Sequence, residues 1–371
     1  MSQAARHVTI KDVAIRANCS TAVVSTVVNK AKGKTKVSEE TRVRVLQAAQ
    51  DLGYRLHFAA RSLAHQRTRT LGIYIPPAPW SGPGFTYEGT ILRGVETACC
   101  ERNYDLLLVN QSGSQQPQVC VDKFLERRID GMLLIHVQES GSPWLLDLLR
   151  RRFNIVAVDY PNPEPELDAV FFDNEAASRV AVEHLVSLGH RRIGFIGSCR
   201  NPAMADAAIR QTGFLRAMAQ LKLPVRPEWV FDASQLPRPF RADEVFTILE
   251  GHAVAQHIIA LGKKGPTAWL AYNDAVAVYL MRRLQAAGVQ VPQQISLMGV
   301  DDAEICRISS PELTSIRHPL REMGQAAAEI LIEKSELPDD LDGKTSTHKG
   351  RHIQFPPSLV ARESTAPPPQ V

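Results

Sequence analysis

The sequence predicts two unlike parts: an all-α head containing a helix-turn-helix, and an α/β body of two lobes, each a doubly wound parallel sheet. Three observations predict it. Basic charge gathers at the N-terminal end, short amphipathic helical patterns fill residues 9–53, and from Leu71 onward apolar runs alternate with helical stretches. With 371 residues, 44% hydrophobic and 22% charged, the chain suits two or three packed domains, which excludes disordered and fibrous classes. It has no run of about 18 apolar residues to span a bilayer, and its start lacks the apolar stretch of an export signal. A cytoplasmic protein is expected. Cys19, Cys99, Cys100, Cys120, Cys199 and Cys306 show neither C-x-x-C nor metal-ligand spacing, so neither disulfides nor zinc, nor any other cofactor, is expected.

Charge is uneven. Residues 1–70 hold 13 Lys and Arg against 4 Asp and Glu, a net +9, whereas the whole chain is only +4, so the body is acidic. A basic head is what a polyanion partner requires, although a solvated lysine-rich arm has the same composition.

The helical pattern in the head separates these readings. Thr9 caps a helix whose Ile10, Val13, Ala14 and Ala17 share a face, with Asp12 completing a capping box. After a short turn at Asn18, Ser20 caps a second helix with Val24, Val27 and Val28 inward and Thr21, Ala22, Ser25 and Thr26 on other faces. A third helix starts at Ser38, carries Val45, Ala49 and Leu52 on one stripe, and stops at Gly53. Lys30, Lys32, Lys34 and Lys36 surround Gly33 between the second and third helices; such a run either touches phosphates or is merely solvated.

In the body, LGIYI, DLLLV, GMLLI, IVAVD, AVFF, RIGFI, AWLAY and ISLMGV read as strands, with helices such as 175–189 and 274–287 between them. Parallel sheets bind ligands beyond the carboxyl ends of their strands, so polar residues following apolar runs are candidates. Asp159, Asn273 and Asp301 qualify, and Arg210 stands at a helix start before Gly213-Phe214. Taken singly, each also reads as an N-cap or surface charge. Trp80, Phe85 and Tyr87 lie in the loop after the first strand, where they offer an apolar platform for a ligand or simply pack that loop.

VTIKDVAIRANCSTAVVSTVVNK, followed by VSEETRVRVLQAAQDLGYRLHFAARSLA, closely resembles the DNA-binding head of the lactose-repressor/galactose-repressor (LacI/GalR) family of bacterial transcription regulators. The resemblance continues through nearly the whole chain. It implies an N-terminal all-α helix-turn-helix head plus an α/β periplasmic-binding-protein-like body of two doubly wound parallel-sheet lobes. The second helix would lie in the major groove, with Thr21, Ala22, Ser25 and Thr26 against the bases and Asn29 near the backbone. The resemblance also implies DNA contact for Thr9, Ser20, Tyr54, His57 and Ala60, and Leu63 takes the place of a leucine that wedges into the minor groove. Thr26 stands where the family usually has Arg, and Leu56 where it usually has Pro. In the body, V-D, R-x-x-G-F, N-D and G-x-D-D contexts match pocket residues at Asp159, Arg210, Asn273 and Asp301, with Phe85 on the first loop; Asp274 and Asp302 cap helices or brace the cleft.

These readings divide the chain into a head (1–56), a hinge helix and linker (57–70), an effector-binding and dimerisation body (71–362) and a disordered tail (363–371). Residues 335–350 are expected to form an exposed polar loop, and GRHIQFPPSLVAREST a final strand. The expected partners are a palindromic double-stranded operator, a sugar-like effector and a second copy of the chain. No P-loop, G-x-S-x-G, H-E-x-x-H or G-x-G-x-x-G stands at a suitable junction, so an enzyme is not expected. A cytoplasmic sugar-binding protein or a carbohydrate-active enzyme is the alternative, and either leaves the basic head without a purpose.

Overall fold

The computed structural model describes residues 8–28, 37–55, 67–76, 86–109, 118–137, 142–160, 163–197, 205–232, 246–337 and 349–370. The chain divides into two compact units, residues 1–70 with 123–130, and residues 71–122 with 131–371.

In the first unit, α1 (Ile10–Arg16), α2 (Thr21–Val28) and α3 (Glu39–Asp51) enclose a small core of Val13, Ala14, Ala17, Val24, Val27, Val45 and Ala48. Each start is set by the hydroxyl the sequence indicates. Thr9 and Asp12 form the reciprocal capping box, Ser20 accepts from the Val23 amide at 3.3 Å, and Ser38 from the Thr41 amide at 3.3 Å. Arg44 ties α3 to the end of α1 by donating to the Ala17 carbonyl at 2.8 Å. Gly53 ends α3 with φ +66°, a left-handed backbone that suits glycine. One detail differs from the expected stripe: Ala48 is fully buried, while Ala49 and Leu52 are only partly so.

The same unit contains the end of the linker. Asp130 accepts from the Thr68 amide (2.7 Å), the Thr68 hydroxyl (2.9 Å) and the Arg69 amide (2.7 Å). Both carboxylate oxygens therefore grip the chain just before its first strand.

The second unit holds two six-stranded sheets. In chain order its elements are β1 (Thr70–Tyr74), α4 (Thr86–Arg102), β2 (Asp105–Leu108), α5 (Gln118–Leu125), β3 (Gly131–Ile135), α6 (Pro143–Arg150), β4 (Ile155–Val158), β5 (Asp168–Phe172), α7 (Asn174–Ser187), β6 (Ile193–Gly197), α8 (Ala205–Gln220), β7 (Val230–Asp232), α9 (Phe246–Leu261), β8 (Ala268–Ala271), α10 (Asp274–Ala286), β9 (Ser296–Asp301), α11 (Ile305–Ile308), β10 (Thr314–Arg317), α12 (Leu320–Glu336), β11 (His352–Phe355) and β12 (Ser358–Val360). The sheet orders are β2-β1-β3-β4-β5-β11 and β7-β6-β8-β9-β10-β12. Strands β1, β3, β4, β6 and β8 are buried along their whole length, as expected when helices cover both faces of a parallel sheet. Each fully buried aliphatic side chain there contributes roughly 1.5–3 kcal/mol. Helices α4 and α12 approach closely: a Cβ on Gly94 would sit 1.9 Å from the Arg321 carbonyl oxygen, and one on Gly324 would sit 2.1 Å from that of Ile91.

The chain crosses between the lobes three times: from β5 to α7, from β10 to α12, and from β11 to β12. This corrects two expectations. The expected final strand is two strands, one in each sheet, because Pro356-Pro357 interrupts it: β11 pairs parallel with β5, and β12 antiparallel with β10. The expected disordered tail is instead packed. The Ser364 hydroxyl is buried, donates to the Leu297 carbonyl at 2.6 Å and accepts from the Thr314 amide at 2.8 Å, while the Ala366 amide donates to Ser296 at 3.0 Å. Residues 335 and 336, expected in a polar loop, instead belong to α12, which runs through Glu336; residues 338–348 of that expected loop lie outside the described residues.

Candidate DNA-reading surface and ligand cleft

On the head, Thr9, Ser20, Thr21 and Ala22 are exposed, and Ser25, Thr26 and Tyr54 are half-buried. Val24 and Val27 hold α2 to the core, which turns Thr21, Ala22 and Ser25 away from it. Thr26 spends its hydroxyl hydrogen on the Ala22 carbonyl at 2.9 Å, so its methyl is the part left for apolar contact. Tyr54 packs its ring against the helical core. Asn29, His57, Ala60, Leu63 and Phe85, together with Trp80 and Lys30 to Lys36, lie outside the described residues.

In the body, both lobes send side chains into one cluster. Asp159 follows β4 and Asp301 ends β9, and His318, on the connector after β10, lies between them. Its ring nitrogens are 3.7 Å from Asp159 and 3.6 Å from Asp301. The His318 ring stacks on Phe172 with centroids 4.0 Å apart. The first lobe adds Tyr87, whose hydroxyl donates to Asp159, and His136, which stacks on Tyr87 at 4.8 Å and pairs with the buried Glu88 at 3.1 Å. The second lobe adds Arg210, 3% exposed, which donates to Asn174 Oδ1 (2.6 Å), to the Tyr272 carbonyl (2.6 Å) and to Asp301 (3.4 Å).

The backbone is strained where these groups emerge. His136, Asp159, Asp301 and Asp302 have φ of 56°, 57°, 120° and 55°, all at strand exits and none a glycine. Such conformations cost of order 1–3 kcal/mol each and gather at functional sites. Electrostatics follow the same grouping. Burial and then Asp159 raise the Tyr87 hydroxyl well above its ordinary value. Burial lowers His136, but the Glu88 carboxylate outweighs it and the imidazole is raised, favouring the protonated form. Burial and Asp159 push the Asp206 carboxyl up. Arg210 is raised despite burial because Asp301, Asp206 and Asp159 surround it.

Of the predicted pocket residues, the structure brings Asp159, Arg210 and Asp301 together. Asn273 differs: its Oδ1 accepts from the Val276 amide at 2.9 Å and caps α10, a use that many strand-to-helix turns make of Asn. Asp274 and Asp302 brace the cleft. Asp274 accepts from Ser315 (2.6 Å) and the Ala303 amide (2.8 Å), and Asp302 pairs with Arg317 and Arg362. His136, Glu88, Asp206 and His318 were not anticipated. His136 follows the apolar run GMLLI and meets the rule that found Asp159; Asp206 stands one turn before Arg210; neither Glu88 nor His318 carries a local signal.

A helix-turn-helix head joined in one chain to a two-lobed α/β body defines a DNA-binding transcriptional regulator. Residues 9–56 match the model for bacterial regulatory proteins of the lacI family, and residues 182–365 match that for a periplasmic binding protein-like domain. The HTH-type transcriptional repressor PurR of Vibrio parahaemolyticus serotype O3:K6 is 32% identical over 359 residues, covering 96% of this chain and 98% of that protein. The chain belongs to the lacI family of bacterial regulatory proteins. The fold is similar to that of the lac repressor dimer bound to operator and the anti-inducer ONPF (TM-score 0.78, 24% identity, 97% of this chain and all of the other). It is also similar to the transcriptional regulator CelR in complex with cellobiose (TM-score 0.65, 23% identity, 96% of this chain and all of the other). Among the described residues no helix is long and apolar enough to cross a membrane.

Proposed function

We propose that the chain is a repressor that acts as a homodimer on a palindromic operator, its grip set by a small sugar-like effector held between the lobes. The observation that carries this reading is the convergence on His318 of Tyr87 and Asp159 from one lobe and, from the other, Asp301 with its partner Arg210. A molecule touching both lobes binds one relative placement of them better than another, and that difference is what shifts a two-state equilibrium. The cellobiose complex of a protein with this fold supports a carbohydrate ligand.

At the DNA end, a dimer sets two recognition helices about 34–36 Å apart, one helical turn. Thr21, Ala22, Ser25 and Thr26 read bases, Thr9, Ser20, Asn29, Tyr54, His57 and Ala60 hold the duplex, and Leu63 wedges into its centre. With Thr26 in place of Arg, one bidentate guanine contact worth about 1–3 kcal/mol is lost, so preferred sites favour thymine methyls there. Asp130 fixes the far end of the linker, and a coupling of about 1–3 kcal/mol changes operator affinity roughly 5- to 150-fold.

Gel retardation with duplexes selected from random DNA tests the proposal. Binding is expected to fall by orders of magnitude on scrambled duplexes and to shift when a cleft ligand is added. Equal grip on matched and scrambled duplexes, with no small molecule altering either, refutes it.

A further inference from the structure

Hydrogen-bonding groups are unevenly matched among the described residues of the cleft. The donors are largely committed inside the protein: Arg210 is held on three sides, Tyr87 donates to Asp159, and His136 faces Glu88. Among the described residues, unused groups remain. Asp159 Oδ1, an acceptor, is buried without a hydrogen-bond partner, and so are both ring nitrogens of His318, at least one of which carries a donor hydrogen; they stand too far from the two carboxylates to bond them. Asp206 lies one turn before Arg210 on α8, so both side chains leave the same face of the helix. Its carboxyl interacts electrostatically with Tyr87, His136, Asp159 and Arg210.

Fixed charge leans the same way. Among the described residues, Glu88, Asp159, Asp206 and Asp301 are answered by Arg210 and by His136, the latter already engaged with Glu88, with the His318 ring between Asp159 and Asp301. A buried carboxylate without a counter-charge is costly, and the cost is removed by a proton or by a cation. Burial and Asp159 push Asp206 toward holding a proton, and an ammonium group placed there relieves the same repulsion. An acidic ligand instead adds a further negative charge to a cluster in which carboxylates already outnumber the described cations.

We infer that the molecule held between the lobes is a hydroxylated amine rather than a neutral or acidic sugar, and that Asp206 is the residue that selects it. This rests on the proposed role of the cleft as a ligand site. Asp206 takes the ammonium, Asp159 Oδ1 takes a second donor, and the His318 ring meets a hydroxyl.

The test uses the purified full chain with matched sets on two carbon skeletons: glucosamine, glucose and gluconate, and galactosamine, galactose and galactonate. Thermal shift and titration calorimetry are expected to show an amine binding at least about tenfold tighter than its neutral partner, the size of one charged hydrogen bond. The acids are expected to show no shift. Asp206→Asn should shrink the preference to within about threefold, while Asp206→Glu keeps its sign. The inference is overturned if a neutral or acidic member binds as tightly as the amine, if neither amine binds, or if the preference survives in Asp206→Asn. Operator retardation with the same compounds separates the two readings. A neutral sugar that binds and shifts operator affinity refutes the charge selection and leaves the switch intact; an amine that binds without affecting operator affinity supports the charge selection and refutes the switch.

Discussion

Arg210 is the cation around which the second lobe's half of the cleft is organised, and replacing it with Met removes the charge while keeping much of the volume. Three acceptors lose their donor: Asn174 Oδ1 and the Tyr272 carbonyl, each at 2.6 Å, and Asp301 at 3.4 Å. Breaking a buried ion pair by deleting one partner costs about 3–5 kcal/mol, since the other charge is left uncompensated. The two short hydrogen bonds add orphaned acceptors at about 1–3 kcal/mol each, but these terms overlap, and water entering the cleft recovers part of them. A net loss of about 4 kcal/mol is expected, a large share of the 5–15 kcal/mol typical of a folded domain. Urea unfolding followed by tryptophan fluorescence measures it, since Trp269 lies fully buried in β8 of the same lobe. Asp301→Asn made in the Arg210→Met background should restore stability, because removing both charges leaves none unpaired. The coupling in that double-mutant cycle is expected to be at least about 1 kcal/mol. Additive effects, or a single-variant loss below about 1 kcal/mol, would show that the guanidinium does not balance these carboxylates.

Asp130→Ala removes the acceptor of the Thr68 and Arg69 amides, and hydrogen exchange at those two positions should quicken by about 10- to 100-fold; unchanged protection would mean the linker end is held by something else. Asp274 is raised to about 7 by burial and then by Asp301, against the lowering pull of Ser315. Its folded value lies above the unfolded value of about 3.9, so the folded state holds the proton more tightly and stability falls as pH rises from about 4 to about 7. In Asp274→Asn the thermal midpoint should vary less over that window, and an unaltered slope would contradict the assignment. Thr9→Ala deletes one side of the capping box on α1 and should cost the head about 0.5–2 kcal/mol, read as a lower midpoint in circular dichroism.

Much of the fold was legible because parallel strands buried on both faces are written as unbroken apolar runs, such as GMLLI and IVAV. Strand β10 escaped notice because its buried positions Thr314 and Ser315 are polar, satisfied by Ser364, Asp274 and the tail, partners distant in sequence. The tail itself reads as disorder from its prolines, yet Ser364 replaces a missing sheet neighbour for Leu297 and Thr314. The meeting of Asp159, Arg210 and Asp301 in the cleft is legible because strand ends and a short motif mark them. Glu88 is not, since a glutamate in the first turn of a helix looks like a favourable dipole partner, and only the approach of His136 makes it part of the cluster. His318 sits where the chain changes lobe, a place that local pattern does not reveal.

That location has a consequence for how such a molecule evolves. His318 belongs to one of three connectors that join the lobes, and it is also wedged between a carboxylate of each lobe. On the proposed reading of the cleft, contact and flexure share a residue, so a substitution that sharpens recognition there also alters the stiffness of the joint. Changes of ligand taste should be accompanied by changes in switching strength.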